Sequence, residues 1–307
     1  MGKAIYGLIG YPVKHSLSPL MHNAAFSALG FDAEYRLFEV LPEELEDFLL
    51  NPAKEVRDLN NNKILAKDII GFNVTIPHKV RTKEILQRSP YFNSHQDYYV
   101  EISGAVNTVK RSNGGGIYCN TDAYGFEISL KKELKFSPER EEALVVGCGG
   151  VGRVIIPILT KEEYGIKKVY VYDKSENAIK DAEKHFISCS IKYPYIKEKI
   201  EFILKEKIVN IIDRCGLLVN ASSVGMKDDS ESVVDTDFLH PNLYVYDVVY
   251  NRKTKLVREA EKRCKAAVGG LGMLLYQGVS AFKIWTEKDP PVEVMREALE
   301  KGLQDVS

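Results

Sequence analysis

The stretch GCGGVG, residues 147–152, fits the pattern G-x-G-x-x-G and follows directly on the apolar run ALVV, residues 143–146. An apolar helical pattern, residues 154–159, comes next. In such a turn between strand and helix, glycines let the backbone approach a pyrophosphate at the helix N-terminus, so the motif predicts a dinucleotide site. Its cofactor-binding glycines are Gly147, Gly149, Gly150 and Gly152. The alternative is a glycine-rich turn that only packs a helix onto a sheet.

An acidic residue is expected about 20 residues further on, at the end of the next strand. Asp173 stands there, directly after VYVY, residues 169–172. Its carboxylate can bind both ribose hydroxyls of NAD and would repel the 2′-phosphate of NADP. Lys174 and Arg153 could reach that phosphate, but the carboxylate is fixed by the strand end, so the sequence predicts NAD in preference to NADP. The alternative is an aspartate that caps a turn.

Outside this turn, short β-branched runs alternate with amphipathic segments, which favours an α/β fold. The predicted strands are residues 4–9, 34–39, 69–74, 143–146, 169–172, 200–203, 217–220 and 244–248. The predicted helices are residues 19–29, 42–50 and 154–159, the last with a kink at Pro157, and two helices within 273–303. Two polar stretches, residues 51–67 and 89–99, are predicted surface insertions without assigned structure.

Composition excludes several classes of protein. The chain has 307 residues and a formal net charge of -1, so no bulk electrostatic partner such as nucleic acid or an anionic membrane is expected. No apolar run is long enough to span a membrane. The five cysteines form no CxxC and the six histidines no HExxH, which predicts neither a disulfide framework nor a bound metal. We therefore expect a reducing, cytoplasmic location.

The N-terminal half carries polar residues at the ends of predicted strands, where ligands of α/β sheets bind. Ser16 and Ser18 lie in a loop bounded by glycine and proline, and such hydroxyl pairs suit a polyol or a carboxylate. Ser18 before Pro19 could equally cap a helix. Three further motifs follow: NVTIPHK at residues 73–79, GAVNT at 104–108 and NTDAYG at 120–125.

With these motifs, the sequence resembles the shikimate dehydrogenase family almost end to end. The remaining matching blocks are NASSVGM at residues 220–226, DVVY at 247–250 and GMLLYQ at 272–277. The resemblance implies that Lys79 and Asp122 are the catalytic pair. An ammonium can stabilise a developing alkoxide and exchange its proton, while a carboxylate orients the ammonium.

The resemblance also implies the binding residues. Ser16 and Ser18 would bind a substrate carboxylate, and ring hydroxyls would be bound by Thr75, Asn107 and Gln277. Tyr250 matches another substrate-side position. The cofactor side would comprise the glycine turn together with Asp173, Lys174, Asn220, Ser222, Val224, Gly270 and Met273, the last two beside the nicotinamide.

The sequence departs from the family at several positions, none of which removes a catalytic group. Many members have an Asn-Arg pair after the second strand of the nucleotide domain, where YDK, residues 172–174, stands here. Cys148 and Gly152 replace small alanine-like residues, Asn251 a frequent proline and His78 a frequent aromatic residue.

The implied architecture is two α/β domains with a cleft between them. Residues 1–122 and 273–307 would form the substrate domain, to which the C-terminal helices return, and residues 123–272 a Rossmann-type, doubly wound dinucleotide-binding domain. The implied activity is that of an NAD(P)-dependent oxidoreductase that reversibly reduces 3-dehydroshikimate to shikimate in aromatic amino acid biosynthesis. The alternatives are a quinate or dual quinate/shikimate dehydrogenase and, more distantly, a non-catalytic ligand sensor. The expected partner is a small-molecule substrate, and monomer and homodimer both remain open.

Overall fold

The computed structural model describes residues 2–95, 97–112, 114–137, 142–228 and 230–306. It divides into two compact units. Unit 1 comprises Met1–Tyr124 and Gln277–Ser307, and unit 2 comprises Gly125–Tyr276. Both boundaries fall inside helices, one within Thr121–Lys132 and the other within Leu271–Thr286.

Unit 1 contains a six-stranded mixed sheet in the order β2-β1-β5-β7-β8-β6. Its strands are β1 (Ala4–Gly10), β2 (Ala33–Glu39), β5 (Ile69–Val74), β6 (Phe92–Ser94), β7 (Thr108–Ser112) and β8 (Gly115–Cys119). β1 pairs in parallel with β2 and β5, whereas β7 runs antiparallel to both β5 and β8. The ends of β1 and β5 and the start of β7 therefore meet at one edge of the sheet, which we call the carboxyl edge.

The predicted insertions contain structure that their polar composition concealed. Residues 51–67 include an antiparallel hairpin of β3 (Glu55–Arg57) and β4 (Lys63–Leu65). Asp58 closes its turn, accepting hydrogen bonds from the backbone N–H groups of Asn60 and Asn62, each at 2.9 Å. Residues 89–99 contain β6 and the start of a helix, and Gln96 lies outside the described residues.

The helices of unit 1 flank this sheet. They are α1 (Ser18–Ala28), α2 (Leu45–Leu50), α3 (Lys79–Leu86), α4 (Asp97–Ser103), the start of α5 (Thr121–Lys132), the end of α11 (Leu271–Thr286) and α12 (Val292–Val306). α12 packs against α1. Trp285 of α11 donates a hydrogen bond to the carbonyl of Val109, 2.9 Å away, so the C-terminal helices are part of the core of unit 1.

Unit 2 contains a fully parallel sheet in the order β11-β10-β9-β12-β13-β14. Its strands are β9 (Glu142–Val146), β10 (Lys168–Tyr172), β11 (Ile200–Phe202), β12 (Leu217–Asn220), β13 (Tyr244–Asp247) and β14 (Ala266–Val268). In sequence this is the doubly wound order 3-2-1-4-5-6 of dinucleotide-binding folds. The predicted α/β class with a Rossmann-type sheet is confirmed. The three-residue β14 was not predicted.

Among the described residues, five further α-helices belong entirely to unit 2: α6 (Gly152–Leu159), α7 (Glu176–Ser190), α8 (Tyr195–Lys199), α9 (Ile208–Ile212) and α10 (Lys255–Arg263). Pro157 lies in the last turn of α6, where the helix is about to end. Ala143, Leu144 and Val145 of β9 are fully buried, as expected for a central parallel strand covered on both faces. Across the described residues, the structure has no helix both long and apolar enough to cross a membrane.

Candidate active site

Lys79 and Asp122 form a direct ion pair at the carboxyl edge of unit 1. Lys79 Nζ lies 2.6 Å from Asp122 Oδ2, and the side chains are 26% and 13% exposed. Lys79 is the first residue of α3, and Asp122 lies in the first turn of α5. A charge-assisted hydrogen bond of this length orients the ammonium while leaving it accessible to a ligand.

The backbone around Lys79 is held on both sides. The Val106 N–H donates to the Lys79 carbonyl at 3.0 Å. The preceding residue, His78, is buried, and its Nε2 lies 2.7 Å from the Val40 carbonyl. Burial lowers the pKa of His78, so this ring is neutral near pH 7 and donates a hydrogen bond to that carbonyl. His78 therefore anchors the start of α3.

A buried polar network lies behind the ion pair. It consists of Tyr35, Asn73, Asn107, Thr108 and Thr121. The Tyr35 hydroxyl donates to Asn73 Oδ1 at 2.8 Å, and Asn73 Nδ2 donates to Thr108 Oγ1 at 2.9 Å. Asn107 Oδ1 accepts from the Thr121 N–H at 2.7 Å, which fixes the residue directly before Asp122. Buried polar groups in a satisfied network impose one geometry, so this network positions α5.

Four members of the buried polar network were not identified as site residues from the sequence. Thr108 and Thr121 stood inside matching motifs, and their signal was a polar residue at a buried position, in β7 for Thr108 and at the start of α5 for Thr121. Nothing in the sequence marked Tyr35 as a site residue, because tyrosine is common in strands. Asn73 stood in the NVTIPHK motif but had no assigned role.

The predicted substrate residues other than Tyr250 lie in unit 1. Ser16 and Ser18 follow β1, and the Ser18 N–H donates to Ser16 Oγ at 3.2 Å. Thr75 follows β5, and its N–H bonds the Ile9 carbonyl of neighbouring β1 at 2.9 Å, so these loops leave the same edge of the sheet. Gln277 is buried in α11. Tyr250 lies in unit 2, where burial raises the pKa of its hydroxyl.

The four glycines in the glycine turn of unit 2 are of two kinds: two have no room for a Cβ atom, and two face open space. Gly147 has φ of 104°, and a Cβ there would lie 2.8 Å from the backbone of Ala221. A Cβ at Gly152 would collide with the Gly147 carbonyl. At Gly149 and Gly150, by contrast, a Cβ would meet nothing within 4 Å. The open space over these two glycines fits a pyrophosphate at the N-terminal end of α6.

Asp173 is committed to the glycine turn itself. Its Oδ2 accepts from the Cys148 N–H and its Oδ1 from the Ser175 N–H, both at 2.9 Å. Lys174 is exposed. Arg153 reaches Asp181 only at 3.6 Å, and among the described residues its buried Nε has no partner. Lys174 thus follows Asp173 at the strand end and Arg153 lies at the start of α6, while two backbone groups already engage the Asp173 carboxylate.

The side chain of Asn220 likewise holds the backbone of the loop that it begins, residues 220–224. Asn220 Nδ2 donates to the Val224 carbonyl at 3.1 Å, and Asn220 Oδ1 accepts from the Ser222 N–H at 3.0 Å. Asn220 Nδ2 also lies 2.9 Å from Asp247 Oδ1. Burial raises the pKa of the Asp247 carboxyl. These contacts shape the loop after β12, which leaves its backbone and the exposed Ser223 for a ligand.

Gly270 and Met273 stand at the start of α11. A Cβ at Gly270 would collide with the Val248 carbonyl, so only glycine fits there. Met273 is buried one turn later. Within the described part of the chain, no group of three or more His, Cys, Asp or Glu side chains could hold a metal ion.

Two family models match the chain. The shikimate dehydrogenase substrate binding domain matches residues 8–109, and the shikimate 5′-dehydrogenase C-terminal domain matches residues 270–300. The shikimate dehydrogenase (NADP(+)) of Methanopyrus kandleri is 37% identical, over 98% of this chain and 96% of that protein.

Solved structures are similar along the whole length. A shikimate dehydrogenase in complex with NADP+ has a TM-score of 0.80 at 33% identity, covering 98% of this chain and 96% of that one. The enzyme of Listeria monocytogenes, in complex with shikimate and NAD, has a TM-score of 0.80 at 32% identity, covering 97% and 96%. The resemblance predicted from the motifs is confirmed.

The predicted preference for NAD over NADP is wrong. The similar curated proteins are named for NADP(+), and NADP+ is bound in the first of these structures. The physical reason lies in Asp173, whose two oxygens hold the N–H groups of Cys148 and Ser175. The capping role that the sequence left as the alternative is the one that the geometry supports. An acidic residue at this strand end is therefore not a sufficient sign of NAD.

Proposed function

Since the chain belongs to the shikimate dehydrogenase family, we propose that it catalyses the reversible reduction of 3-dehydroshikimate to shikimate with NADPH. The observation that carries this proposal is the 2.6 Å contact between Lys79 Nζ and Asp122 Oδ2 at the carboxyl edge of unit 1. A non-catalytic sensor on the same fold would have no need of this pair. The pair is intact, which supports an enzyme.

The reaction needs one hydride and one proton. When bound, the nicotinamide supplies the hydride to the carbonyl carbon, and in the reverse direction accepts it. The Lys79 ammonium donates its proton to the carbonyl oxygen as negative charge develops there, and the product is a secondary alcohol. Asp122 holds the ammonium in place and lowers the cost of its charge. In the reverse direction, neutral Lys79 removes the hydroxyl proton.

The substrate is held in unit 1. Ser16 and Ser18, at the start of α1, bind the ring carboxylate, since hydroxyl and N–H donors at a helix N-terminus favour an anion. Thr75, Asn107 and Gln277 bind ring hydroxyls. Asn107 keeps its orientation through Thr121, to whose Oγ1 its Nδ2 donates at 3.0 Å. Tyr250, in the DVVY motif, is proposed as a further substrate-side residue.

The cofactor is held in unit 2, with residues 123–272 as the dinucleotide-binding domain and residues 1–122 with 273–307 as the substrate domain. The backbone at Gly149 and Gly150 receives the pyrophosphate, and the loop from Asn220 through Ser222 to Val224 lines the cofactor. Gly270 and Met273 contact the nicotinamide. Lys174 and Arg153 bind the 2′-phosphate, supported by the exposure of Lys174 and the unpartnered Arg153 Nε among the described residues.

The test is a steady-state assay that crosses shikimate and quinate with NADP and NAD. We expect the highest kcat/KM for shikimate with NADP. A higher kcat/KM for quinate would move the assignment to quinate dehydrogenase, the alternative that the motifs leave open because the two substrates differ around one ring carbon. Binding of either acid without turnover would refute the enzymatic proposal.

A further inference from the structure

Unit 1 has a cavity of about 910 Å³ that does not include the ion pair. Ile70 at the start of β5, Arg111 near the end of β7 and Gly115 at the start of β8 line it. These positions lie at the edge of the sheet opposite to the carboxyl edge. The cavity is therefore separate from the proposed substrate residues, none of which lines it.

The walls of this cavity carry an excess of positive charge. The charged lining residues are Glu46, Lys67, Asp68, Arg81, Arg88 and Arg111. Arg81 lies 3.1 Å from Glu46, so these two charges compensate each other. Lys67, Arg88 and Arg111 then face a single carboxylate, Asp68. A concave surface with this imbalance attracts a small anion, although the chain as a whole is slightly acidic.

Arg111 is the central cation of the cavity. Its guanidinium donates to the carbonyls of Phe48, at 2.6 Å, and Ala66. It also lies 4.9 Å from the ring centre of Phe48 and 5.0 Å from that of Phe72. Within the residues that the structure describes, no carboxylate lies within ion-pair distance of it.

A partly buried guanidinium held only by neutral groups keeps an uncompensated charge. Burial lowers the pKa of Arg111 to about 10, which still leaves it charged near pH 7. An anion in the cavity would supply the missing negative charge. No acidic side chain of the described chain does so.

The rest of the wall is apolar and aromatic. Tyr91 is 67% exposed and Ile70 37% exposed, and Phe92 and Ile85 complete this side. A hydrated inorganic anion would leave these side chains without a partner, whereas an aromatic ring would cover them. We propose that this cavity is a binding site for a small aromatic carboxylate, with the carboxylate toward Arg111 and Arg88 and the ring on Tyr91 and Ile70.

Benzoate is the probe, titrated by calorimetry into the full chain saturated with shikimate so that the proposed substrate site is occupied. Benzamide keeps the ring without the charge, and acetate keeps the charge without the ring. We expect saturable benzoate binding, with each of the other two at least about tenfold weaker, a difference of about 1.4 kcal/mol. This readout does not depend on turnover, so it stands or fails separately from the proposed enzymatic function.

Two variants that are close in sequence test whether benzoate binds in this cavity. Arg88→Gln removes an exposed cation from the wall, just after the end of α3, and Lys83→Gln removes a cation of α3 that does not line the cavity. We expect Arg88→Gln to weaken benzoate binding by about fivefold or more and Lys83→Gln by less than about twofold, with kcat unchanged in both. Arg111→Lys, which keeps the charge but not the fork of donors, should also weaken binding.

Four outcomes would overturn the proposal. They are the absence of saturable benzoate binding, its competition by shikimate, equal binding of benzamide, and equal weakening by Arg88→Gln and Lys83→Gln. Competition by shikimate would place the probe in the substrate site, and equal binding of benzamide would mean that the cations are not involved.

Discussion

In unit 1 a lysine and an aspartate from separate elements pair with each other, whereas in unit 2 the strand-end residues Asp173 and Asn220 bond mainly to backbone groups of the loops. Lys79 reaches Asp122 at 2.6 Å across two elements that are distant in sequence. Asp173 of unit 2 instead accepts from the backbone N–H groups of Cys148, in the glycine turn, and of Ser175, two residues further on. The same kind of motif, a polar residue after a buried strand, thus has two different uses in one chain.

The difference is consistent with what each unit is proposed to bind. A proton transfer needs a side chain with a titratable group at the ligand, so unit 1 presents an ammonium. A pyrophosphate is bound well by backbone N–H groups, so the side chains of unit 2 can hold the loops that present them. The identity of the side chains therefore indicates the proposed ligand of unit 1, whereas the backbone geometry indicates that of unit 2.

Lys79→Ala gives the largest effect if this comparison holds. We expect kcat to fall by about 10²–10⁴-fold with a much smaller change in KM, because the ammonium acts mainly in the transition state. The measurement is steady-state kinetics with shikimate and NADP. Lys83→Ala, which removes a lysine from the same helix, is the control and should keep kcat. A Lys79→Ala enzyme with near-normal kcat would show that the ion pair is structural.

The second prediction concerns a buried histidine of unit 1 that breaks the pattern of satisfied polar groups. His22 is fully buried, and neither ring nitrogen has a partner among the described residues. It stacks on Tyr35, with ring centres 4.5 Å apart, and burial lowers its pKa to about 3. The His22 ring therefore stays unprotonated in the folded state at pH values below about 6.5, where the unfolded chain binds a proton at this residue.

The free energy of unfolding therefore has its full value above pH 6.5. It decreases as the pH falls toward 3, because protonation of His22 then favours the unfolded chain. At pH 5 the loss is about 2 kcal/mol. His22→Phe should remove it, so that unfolding of unit 1 depends less on pH between 7.5 and 5. The single tryptophan, Trp285, lies 5.2 Å from His22 between ring centres, and its fluorescence follows unit 1. His95→Gln, at an exposed histidine of the same unit, should leave the pH dependence unchanged; an unchanged slope in His22→Phe would contradict the argument.

The third prediction separates the two kinds of glycine in unit 2. Gly149→Ala places a methyl group in open space over the turn, where the pyrophosphate is proposed to lie. We expect the KM for NADP to rise by about tenfold, equivalent to about 1.4 kcal/mol, with little change in the melting temperature.

Gly147→Ala is the matched substitution. Its φ of 104° and the approach of Ala221 should lower the free energy of unfolding by about 1–3 kcal/mol. If both variants destabilised the fold equally and neither changed the KM, the open space at Gly149 would not be a binding surface.

The strands and motifs with strong local signals were predictable from the sequence. β9 was found because its residues are apolar on both faces, and Lys79 with Asp122 because their motifs match the family. The hairpin at Glu55–Arg57 and Lys63–Leu65 was missed because half-exposed three-residue strands carry little apolar pattern. β14 was missed for a similar reason.

The hydrogen-bond partners of a side chain, by contrast, were not predictable from the sequence. Nothing in the local sequence distinguishes an aspartate that faces a ribose from one that accepts two backbone N–H groups. For Asp173 the difference lies in where Cys148, 25 residues away, places its N–H in the fold. Tyr35 joins Asn73 across 38 residues in the same way. Long-range hydrogen bonds of this kind depend on strand order and register, which no local pattern carries.

The smallest effect is expected from Asp173→Asn. Asparagine has one side-chain oxygen where aspartate has two, so only one of the N–H groups of Cys148 and Ser175 can keep its acceptor. Loss of one such bond costs about 1 kcal/mol and loosens the turn that both cofactors use. The KM values for NADP and NAD should therefore rise together, and the ratio of the two kcat/KM values should change by less than about threefold, or about 0.6 kcal/mol. Lys174→Ala is the contrasting variant, because loss of an exposed cation from the proposed 2′-phosphate site should weaken NADP by about fivefold and leave NAD unchanged. If Asp173→Asn shifted the ratio more than Lys174→Ala did, the carboxylate would face the ribose after all, and the two units would use their strand-end side chains in the same way.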